Sequence, residues 1–215
     1  MRLASRENMK ELKDQVAALK REQVILAAGE LFYTKGFTHT SMDDIAAMLS
    51  IGKPMIYSYF PSKVALLAAV CSRTSHLVAS LAETMTEVRA HSPAEQLRMI
   101  LRETSLRIIG GSKGLAVLFR EAKYVPKPLL KQLEQSDTKF REVMVNLLKQ
   151  GKEAGQFHYD ADERVMAQAI SGMATWLFTW YREDGPLTAE EVAEHMSRVV
   201  LGMAGYNKEF VARSE

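Results

Sequence analysis

Apolar residues recur at helical spacing along almost the whole chain. The first such series consists of Leu12, Val16, Leu19, Val24, Ala28, Leu31 and Phe32. Residues three or four positions apart lie on one face of an α-helix, so this spacing indicates amphipathic helices. The sequence contains no convincing run of alternating β-branched residues, which would be typical of a strand. It therefore predicts an all-α protein.

Composition and charge restrict the class of protein further. The chain is 47% hydrophobic, which is enough to fill a core, but its apolar runs are shorter than the roughly 20 residues that span a bilayer. The N-terminal residues are charged and lack an apolar signal segment. Cys71 is the single cysteine, so an internal disulfide and a multi-thiolate metal site are excluded. We expect a cytoplasmic protein with no membrane partner.

Helix start and stop signals divide the periodic pattern into nine predicted helices. Gly36 ends a long first helix, and Ser41 with Asp44 forms a capping box for a short second helix. A very short third helix is predicted over residues 53–59. Later helices are predicted to begin near Ser62 and Pro93, after a break over residues 110–114, and near Pro128, Asp162 and Thr188, with closure of the seventh at Gly151 or Gly155.

The first three predicted helices, one long and two very short, match a helix-turn-helix unit. In that unit the last helix enters the major groove of DNA with its N-terminal residues leading. Lys53 and Lys63 each begin a helix, where the positive end of the helix dipole disfavours a cation unless an anion is bound. DNA phosphates would supply that anion. The sequence therefore predicts double-stranded DNA as a partner.

The residues predicted to contact DNA lie close to these helix starts. They are Thr40, Ser41, Lys53, Pro54, Met55, Tyr57, Ser58, Tyr59, Ser62 and Lys63. Hydroxyl and ammonium groups suit phosphates and base edges, whereas Pro54 and Met55 suit a thymine methyl group. Ile56 and Phe60 are expected to point into the core and to hold the short helix in place.

The stretch from Arg21 to Val70 resembles the DNA-binding domain of TetR-family transcriptional regulators. The resemblance rests on an alanine-rich first helix ending in Leu-Phe and a glycine, the Ile45-Ala46 pair, the Lys53 to Tyr57 core and the Phe60 to Lys63 junction. It implies a homodimer that binds a palindromic operator and leaves it when a small molecule enters the C-terminal domain. We expect residues 1–65 to form the DNA-binding domain and residues 66–215 the effector-binding and dimerisation domain.

Two positions depart from the family pattern. Ser50 stands in the turn where the family usually carries glycine, and Gly52 stands where the helix cap is usually serine or threonine. Glycine is an acceptable helix cap, but serine in a left-handed turn costs roughly 1–2 kcal/mol. We therefore expect the backbone of this turn to be adjusted relative to the family pattern.

Residues 165–181 are apolar on nearly every face, so they require cover from more than one side. A second subunit would supply part of that cover, together with the amphipathic last helix. A small hydrophobic effector is expected inside the bundle. The candidate contacts are Phe119, Met173, Trp176, Leu177, Trp180 and Tyr181, with Arg102 or Arg120 as an anchor for an acidic head group.

The nature of the effector stays open at the level of sequence. Residues 176–196 are similar to the C-terminal domains of regulators that sense acyl-CoA thioesters. Sensing of multiple drugs or of aromatic compounds is the alternative. A small-molecule-binding helical adaptor with a vestigial helix-turn-helix is a competing class of protein.

Other motifs do not support an enzyme or a metal site. Gly110, Ser112 and Gly114 match G-x-S-x-G, but a nucleophile elbow needs a preceding strand, and none is predicted. The five histidines lack the spacing of metal ligands, and no nucleotide-binding glycine pattern occurs. We expect a ligand-responsive transcriptional repressor with no catalytic residues, no metal and no cofactor.

Overall fold

The computed structural model describes residues 2–79 and 88–206, and all regular secondary structure in these ranges is helical. The α-helices are α1 (Arg2–Lys35), α2 (Met42–Leu49), α3 (Lys53–Tyr59), α4 (Lys63–Ala79), α5 (Pro93–Gly110), α6 (Ser112–Glu121), α7 (Lys127–Glu153), α8 (Glu163–Thr175), α9 (Leu177–Trp180) and α10 (Ala189–Met203). Single 3-10 turns, Val88–Ala90 and Ala122–Tyr124, precede α5 and α7. The all-α prediction is confirmed. Because α8 and α9 are separated only by Trp176, the described ranges contain nine helical segments, as predicted.

Local capping explains where the second and last helices begin. The Ser41 hydroxyl accepts a hydrogen bond from the Asp44 N–H at 3.0 Å, and the Asp44 carboxylate accepts one from the Ser41 N–H at 2.7 Å. Thr188 and Glu191 form the same reciprocal arrangement before α10. Both predicted capping boxes are confirmed, and each satisfies N–H groups that have no partner inside the helix.

The turn between α2 and α3 contains Ser50 and Gly52, the two residues that depart from the family pattern, and still connects the helices of a helix-turn-helix unit. Ser50 has φ of 53° and ψ of 41°, and among the described residues it is the only one besides glycine with a positive φ. Its N–H donates to Ala47 O at 3.1 Å, and the Ile51 N–H donates to Ala46 O at 3.0 Å. Gly52 then caps α3 with an extended backbone. These backbone hydrogen bonds offset part of the left-handed strain.

Two boundaries differ from the sequence-based expectation. The interruption predicted over residues 110–114 is confined to Gly111, because its N–H completes the last turn of α5 by donating to Arg107 O at 2.9 Å. Its own carbonyl then accepts from the Leu115 N–H at 3.0 Å and begins α6. The helix predicted over residues 162–181 is broken at Trp176, whose N–H still bonds to Gly172 O at 3.0 Å.

Two clusters of buried apolar side chains organise the helices. The smaller cluster contains side chains of α1, α2, α3 and α4. Ile56 and Phe60 lie in it, as predicted. Val117 of α6 belongs to this cluster too, so α6 packs directly against the N-terminal unit. The larger cluster joins α5, α7, α8 and α10, and α10 packs along α5 more extensively than any other pair of helices in the described ranges.

No single helix in the described part of the chain is long and apolar enough to cross a membrane. One bent pair, α3 with residues 63–73 of α4, meets the length and composition criteria only when the two pieces are joined across a 60° bend.

Gly151 lies inside α7 rather than at its end, which is Glu153. The helix is followed by Gly155, whose φ of 67° is the left-handed conformation that terminates helices. A Cβ at position 151 would lie 1.9 Å from a ring atom of Phe157. Glycine is therefore required at position 151 for close packing.

We expect Gly151→Ala to lower the free energy of unfolding by about 1–3 kcal/mol, because the added methyl group would overlap the Phe157 ring. Gly110→Ala is the matched control, since a Cβ there meets no atom within 4 Å. Urea unfolding followed by circular dichroism, at one protein concentration, measures both variants. Equal unfolding midpoints for the two would contradict the packing described here.

Candidate nucleic-acid interface and effector cavity

The short helix α3 is amphipathic, with one face anchored in the core and the other open to solvent. Ile56 is fully buried, and Phe60, just after the helix, is 3% exposed. Tyr57 is 46% exposed and Met55 is 37% exposed. The remaining predicted α3 contacts also reach the surface: Pro54 and Ser58 are exposed and Tyr59 is half-buried. The structure therefore brings these side chains together on one short, firmly held helix.

Lys53, at the start of α3, bonds to a carboxylate of the preceding helix. Its ammonium group lies 2.7 Å from an Asp43 carboxylate oxygen, and both side chains are well exposed. This hydrogen bond raises the pKa of Lys53 above its ordinary value, so the ammonium group stays charged. The positive charge at the helix start is thus balanced within the protein by Asp43.

Lys63, at the start of α4, has a structural role. Its ammonium group donates to Phe37 O and Thr40 O, each at 2.8 Å, and lies 4.5 Å from the centroid of the Phe37 ring. Two of its three N–H donors are therefore used to hold the α1–α2 link against α4. The sequence predicted a bound anion at this helix start. In the structure, the Lys63 ammonium group bonds to backbone carbonyl oxygens instead.

Thr40 must be removed from the predicted DNA-contacting set. It is 1% exposed, and its hydroxyl donates to Gly36 O at 2.8 Å. Ser41 and Ser62 are exposed, and each caps a helix: the Ser62 hydroxyl accepts from the Ala65 N–H at 3.1 Å. These two serines therefore lie at the surface beside the starts of α2 and α4.

The last turn of α6 contacts the C-terminal end of α1. Glu121 is 7% exposed, and its carboxylate accepts a hydrogen bond from the Phe37 N–H at 3.1 Å. The Arg120 guanidinium donates to the carbonyl oxygens of Phe32 and Tyr33. The final carbonyl groups of a helix lack partners inside it, so Arg120 acts as a cap for α1. Arg120 therefore has a structural role at the end of α1, and its role as an effector anchor stays a prediction.

The aromatic residues predicted to contact an effector lie mostly at the surface. Phe119 and Trp176 are each 57% exposed, and Trp180 is 49% exposed. The Phe119 ring stacks on Phe178 with 5.1 Å between centroids, and Trp176 meets the same ring edge-on. Leu177 is fully buried, whereas Arg102, Met173 and Tyr181 are half-buried. None of these residues lines the internal cavity described next.

A cavity of about 50 Å³ lies between α5, α6, α7 and α8. Its apolar walls are Leu101, Ile108, Leu115, Phe140, Ile170 and Ala174, and its polar positions are Thr104, Asp137, Ser171 and Thr175. The hydroxyl oxygens of Thr104 and Ser171 are buried and have no hydrogen-bond partner in the protein. An unpaired buried hydroxyl costs about 1–3 kcal/mol. Thr104 and Ser171 were not identified from the sequence as candidate ligand contacts. A hydroxyl residue on an otherwise apolar helix face is the feature that would have indicated them.

The described residues contain neither side chains placed to bind a metal ion nor a reactive thiol. They contain no group of three or more His, Cys, Asp or Glu side chains placed to hold a metal ion. Cys71 is fully buried, and burial raises the pKa of its thiol to about 12. The thiol therefore stays protonated and behaves as a small apolar group.

Two family patterns match the chain at the positions that the fold predicts. The pattern described as "Bacterial regulatory proteins, tetR family" matches residues 24–70, and "Tetracyclin repressor-like, C-terminal domain" matches residues 90–204. The chain belongs to the TetR family. It is a helix-turn-helix transcriptional regulator and not an enzyme. The family named from the residues between Arg21 and Val70 is confirmed.

Individual TetR-family relatives cover most of the chain. It is 27% identical over 195 residues to the HTH-type transcriptional repressor KstR2 of Mycobacterium tuberculosis, which is 89% of this chain and 95% of the relative. It is 30% identical over 110 residues to the HTH-type transcriptional activator FasR of Mycolicibacterium smegmatis, covering 51% of this chain and 49% of FasR.

Solved TetR-family structures have the same fold. The ketosteroid transcriptional regulator KstR2 of M. tuberculosis matches with a TM-score of 0.77 and 24% identity, covering 88% of this chain and 95% of that one. AibR in complex with isovaleryl coenzyme A and operator DNA matches with a TM-score of 0.69 and 24% identity, covering 83% of this chain and 96% of AibR. Both likenesses extend over the helix-turn-helix and the C-terminal helices.

We expect Asp44→Asn to lower the midpoint of urea unfolding at pH 7 and to lose this effect as the pH falls from about 4 to 2. Hydrogen bonds from the Ser41 hydroxyl and backbone N–H, with a smaller effect of Lys35, lower the pKa of Asp44 from 3.8 to about 2. A carboxylate with a lowered folded-state pKa stabilises the protein above its unfolded-state pKa, and this stabilisation is lost as the pH falls through the folded-state pKa.

Asp184→Asn serves as the control for this measurement, because Asp184 is exposed and lies outside both capping boxes. We expect it to leave the midpoint unchanged at every pH. A difference between Asp44→Asn and the unmodified protein that is the same at pH 7 and pH 2 would contradict the role of the ionised cap.

Proposed function

We propose that this regulator is a homodimeric repressor that binds a palindromic operator and leaves it when an acyl-CoA effector enters the C-terminal helices. The observation that carries the proposal is the position of α6. Leu115 of this helix lines the internal cavity, whereas Arg120 and Glu121 hold the end of α1 and its link to α2. A ligand that displaces Leu115 therefore acts on the same helix that positions the DNA-binding unit.

The geometry of α3 supports DNA binding through the major groove. Tyr57 and Met55 lie on its exposed face, and the helix start carries the charged ammonium group of Lys53. Exposed ion pairs contribute little stability, so Lys53 can exchange Asp43 for a DNA phosphate. In helix-turn-helix proteins the N-terminal residues of this helix contact base edges while neighbouring groups hold the phosphates. Lys63 is left out of this set because it holds the α1–α2 link.

Repression is the proposed direction of regulation because KstR2, a repressor by name, aligns over 89% of this chain. The activator FasR aligns over only 51% of it. An acyl-CoA effector is proposed because AibR, which has the same fold, was solved with isovaleryl coenzyme A and operator DNA. The cavity has hydroxyl groups in its walls, which agrees with a ligand that has an apolar part and a hydrogen-bonding oxygen.

Exposed apolar residues on two helices support a homodimer. On α8, Val165 is 63% exposed and lies on the same face as the position of Trp176. On α10, Val199 is 50% exposed and Met203 is 38% exposed. Both helices pack on α5 through their opposite faces. A second copy related by a two-fold axis would cover these residues and would match the symmetry of a palindromic operator.

We expect Tyr57→Ala to weaken binding to DNA from upstream of the protein's own gene by roughly 5- to 100-fold, because a good base contact contributes about 1–3 kcal/mol. Fluorescence anisotropy with labelled DNA measures the affinity, which should also fall as salt increases. Trp180→Ala is the control, since this aromatic residue is similarly exposed but lies outside the helix-turn-helix. Unchanged affinity in a folded Tyr57→Ala variant would contradict DNA reading by α3.

We expect Val165→Asp to convert the dimer into a monomer, because the carboxylate would be buried without a partner in the proposed interface. Light scattering coupled to size-exclusion chromatography measures the mass. Val143→Asp is the matched control, since Val143 is 40% exposed on α7, which is not one of the two helices of the proposed interface. A Val165→Asp protein that remains dimeric would place the interface elsewhere.

A further inference from the structure

Two buried hydroxyl groups without hydrogen-bond partners line the cavity between α5, α6, α7 and α8. The oxygens of Thr104, Ser105 and Ser171 are buried and have no hydrogen-bond partner in the protein. Thr104 is 4% exposed and Ser105 is fully buried. Thr104 from α5 and Ser171 from α8 line the cavity itself. Buried polar groups in folded proteins are nearly always hydrogen-bonded, so this grouping calls for a partner.

Other hydroxyl residues in these helices make local backbone hydrogen bonds that Thr104 and Ser171 lack. Ser105 and Tyr159 are also buried without a partner, but they do not line the cavity. Within helices, Ser and Thr commonly bond to the carbonyl four residues earlier. Thr138 does so to Glu134 O at 2.9 Å, and Ser136 does so to Gln132 O at 3.1 Å. Thr104 and Ser171 make no such bond, so their O–H groups remain available to a molecule in the cavity.

The volume of the cavity limits the size of that molecule. One water-sized position requires about 10–15 Å³, so a cavity of about 50 Å³ holds roughly three to five non-hydrogen atoms. The walls facing these positions are apolar side chains such as Leu101, Phe140 and Ile170. An acyl group of roughly two to four carbons fits this space, whereas a long alkyl chain or a fused ring system does not.

The charged side chains at the mouth of the cavity favour a ligand whose buried part is an uncharged carbonyl and whose exposed part is anionic. Asp137 lines the cavity and reaches the surface, where it pairs with Arg141. Arg141 also lines, together with Arg164, an open groove of about 430 Å³ between α7 and α8. A free carboxylate inside the cavity would lie near the carboxylate of Asp137, with which Arg141 is already paired. A thioester carbonyl is uncharged, and the two guanidinium groups suit the phosphates of its carrier.

We propose that the buried part of the effector is a short acyl group, whose thioester carbonyl accepts hydrogen bonds from Thr104 and Ser171. The inference rests on the proposed function in one respect only, namely that the molecule in the cavity is the effector. It specifies a short acyl thioester of a phosphate-bearing carrier and excludes long-chain acyl groups and free short-chain acids.

Isothermal titration of the full-length protein without DNA tests the inference directly. The probes are butyryl-CoA, octanoyl-CoA, free coenzyme A and sodium butyrate. We expect butyryl-CoA to bind at least tenfold more tightly than each of the other three. Equal or tighter binding of octanoyl-CoA, of free coenzyme A or of butyrate would overturn the inference.

Two variants test the hydroxyl groups themselves. Thr104→Val and Ser171→Ala remove unpaired hydroxyls from apolar surroundings, so we expect both proteins to fold at least as stably as the unmodified chain. Each should weaken butyryl-CoA binding five- to tenfold and leave operator affinity unchanged. Ser136→Ala is the control, because its hydroxyl lies on α7 and is already bonded to Gln132 O. Unchanged butyryl-CoA affinity in both variants, as expected if the hydroxyls hold only water, would overturn the inference.

Operator release separates this inference from the proposed function. If octanoyl-CoA releases the operator and butyryl-CoA does not, the short-chain inference fails while the effector-responsive repressor stands. If butyryl-CoA binds but does not release the operator, the cavity assignment stands while its regulatory role fails.

Discussion

The packing of the N-terminal unit on the C-terminal helices depends on hydrogen bonds between the last turn of α6 and the C-terminal end of α1. The C-terminal carbonyls of a helix and the N–H groups of the link after it have no partners inside the helix. Arg120 supplies donors to the carbonyls of Phe32 and Tyr33, and the buried carboxylate of Glu121 accepts from the Phe37 N–H. Lys63 bonds to the carbonyls on the other side of the same link. The link between α1 and α2 is therefore held both by the N-terminal unit itself and by α6.

The two buried clusters meet at α6 for a geometric reason. Leu115 and Val117 are two residues apart, which places them roughly 200° apart around a helix. Leu115 therefore packs in the larger cluster and lines the cavity, whereas Val117 packs in the smaller cluster beneath the helix-turn-helix. A helix shared by two cores transmits a displacement between them, since close-packed interiors do not deform locally. This arrangement gives the proposed effector a direct mechanical route to the DNA-binding unit.

Local rules accounted for most of the secondary structure and for the exposed face of α3. The capping boxes at Ser41 and Thr188 depend on residues three positions apart, and Gly36 ends α1 through its own backbone freedom. The inward positions of Ile56 and Phe60 also follow from the pattern of a seven-residue helix. Sequence reasoning was wrong about the extent of the break near Gly111, because glycine permits a helix to end without requiring it.

The helices, their caps, the membership of the TetR family and the solvent-facing side of α3 were all predictable from the amino-acid sequence, since each depends on residues that are near neighbours in the chain. The tertiary structure was needed to show that Arg120 and Lys63 bond to backbone carbonyl groups, because their partners lie far away in the chain. It also decided where the cavity lies. The cavity is formed by side chains from four helices at once, and the relative rotation of those helices cannot be predicted from the sequence of any one of them.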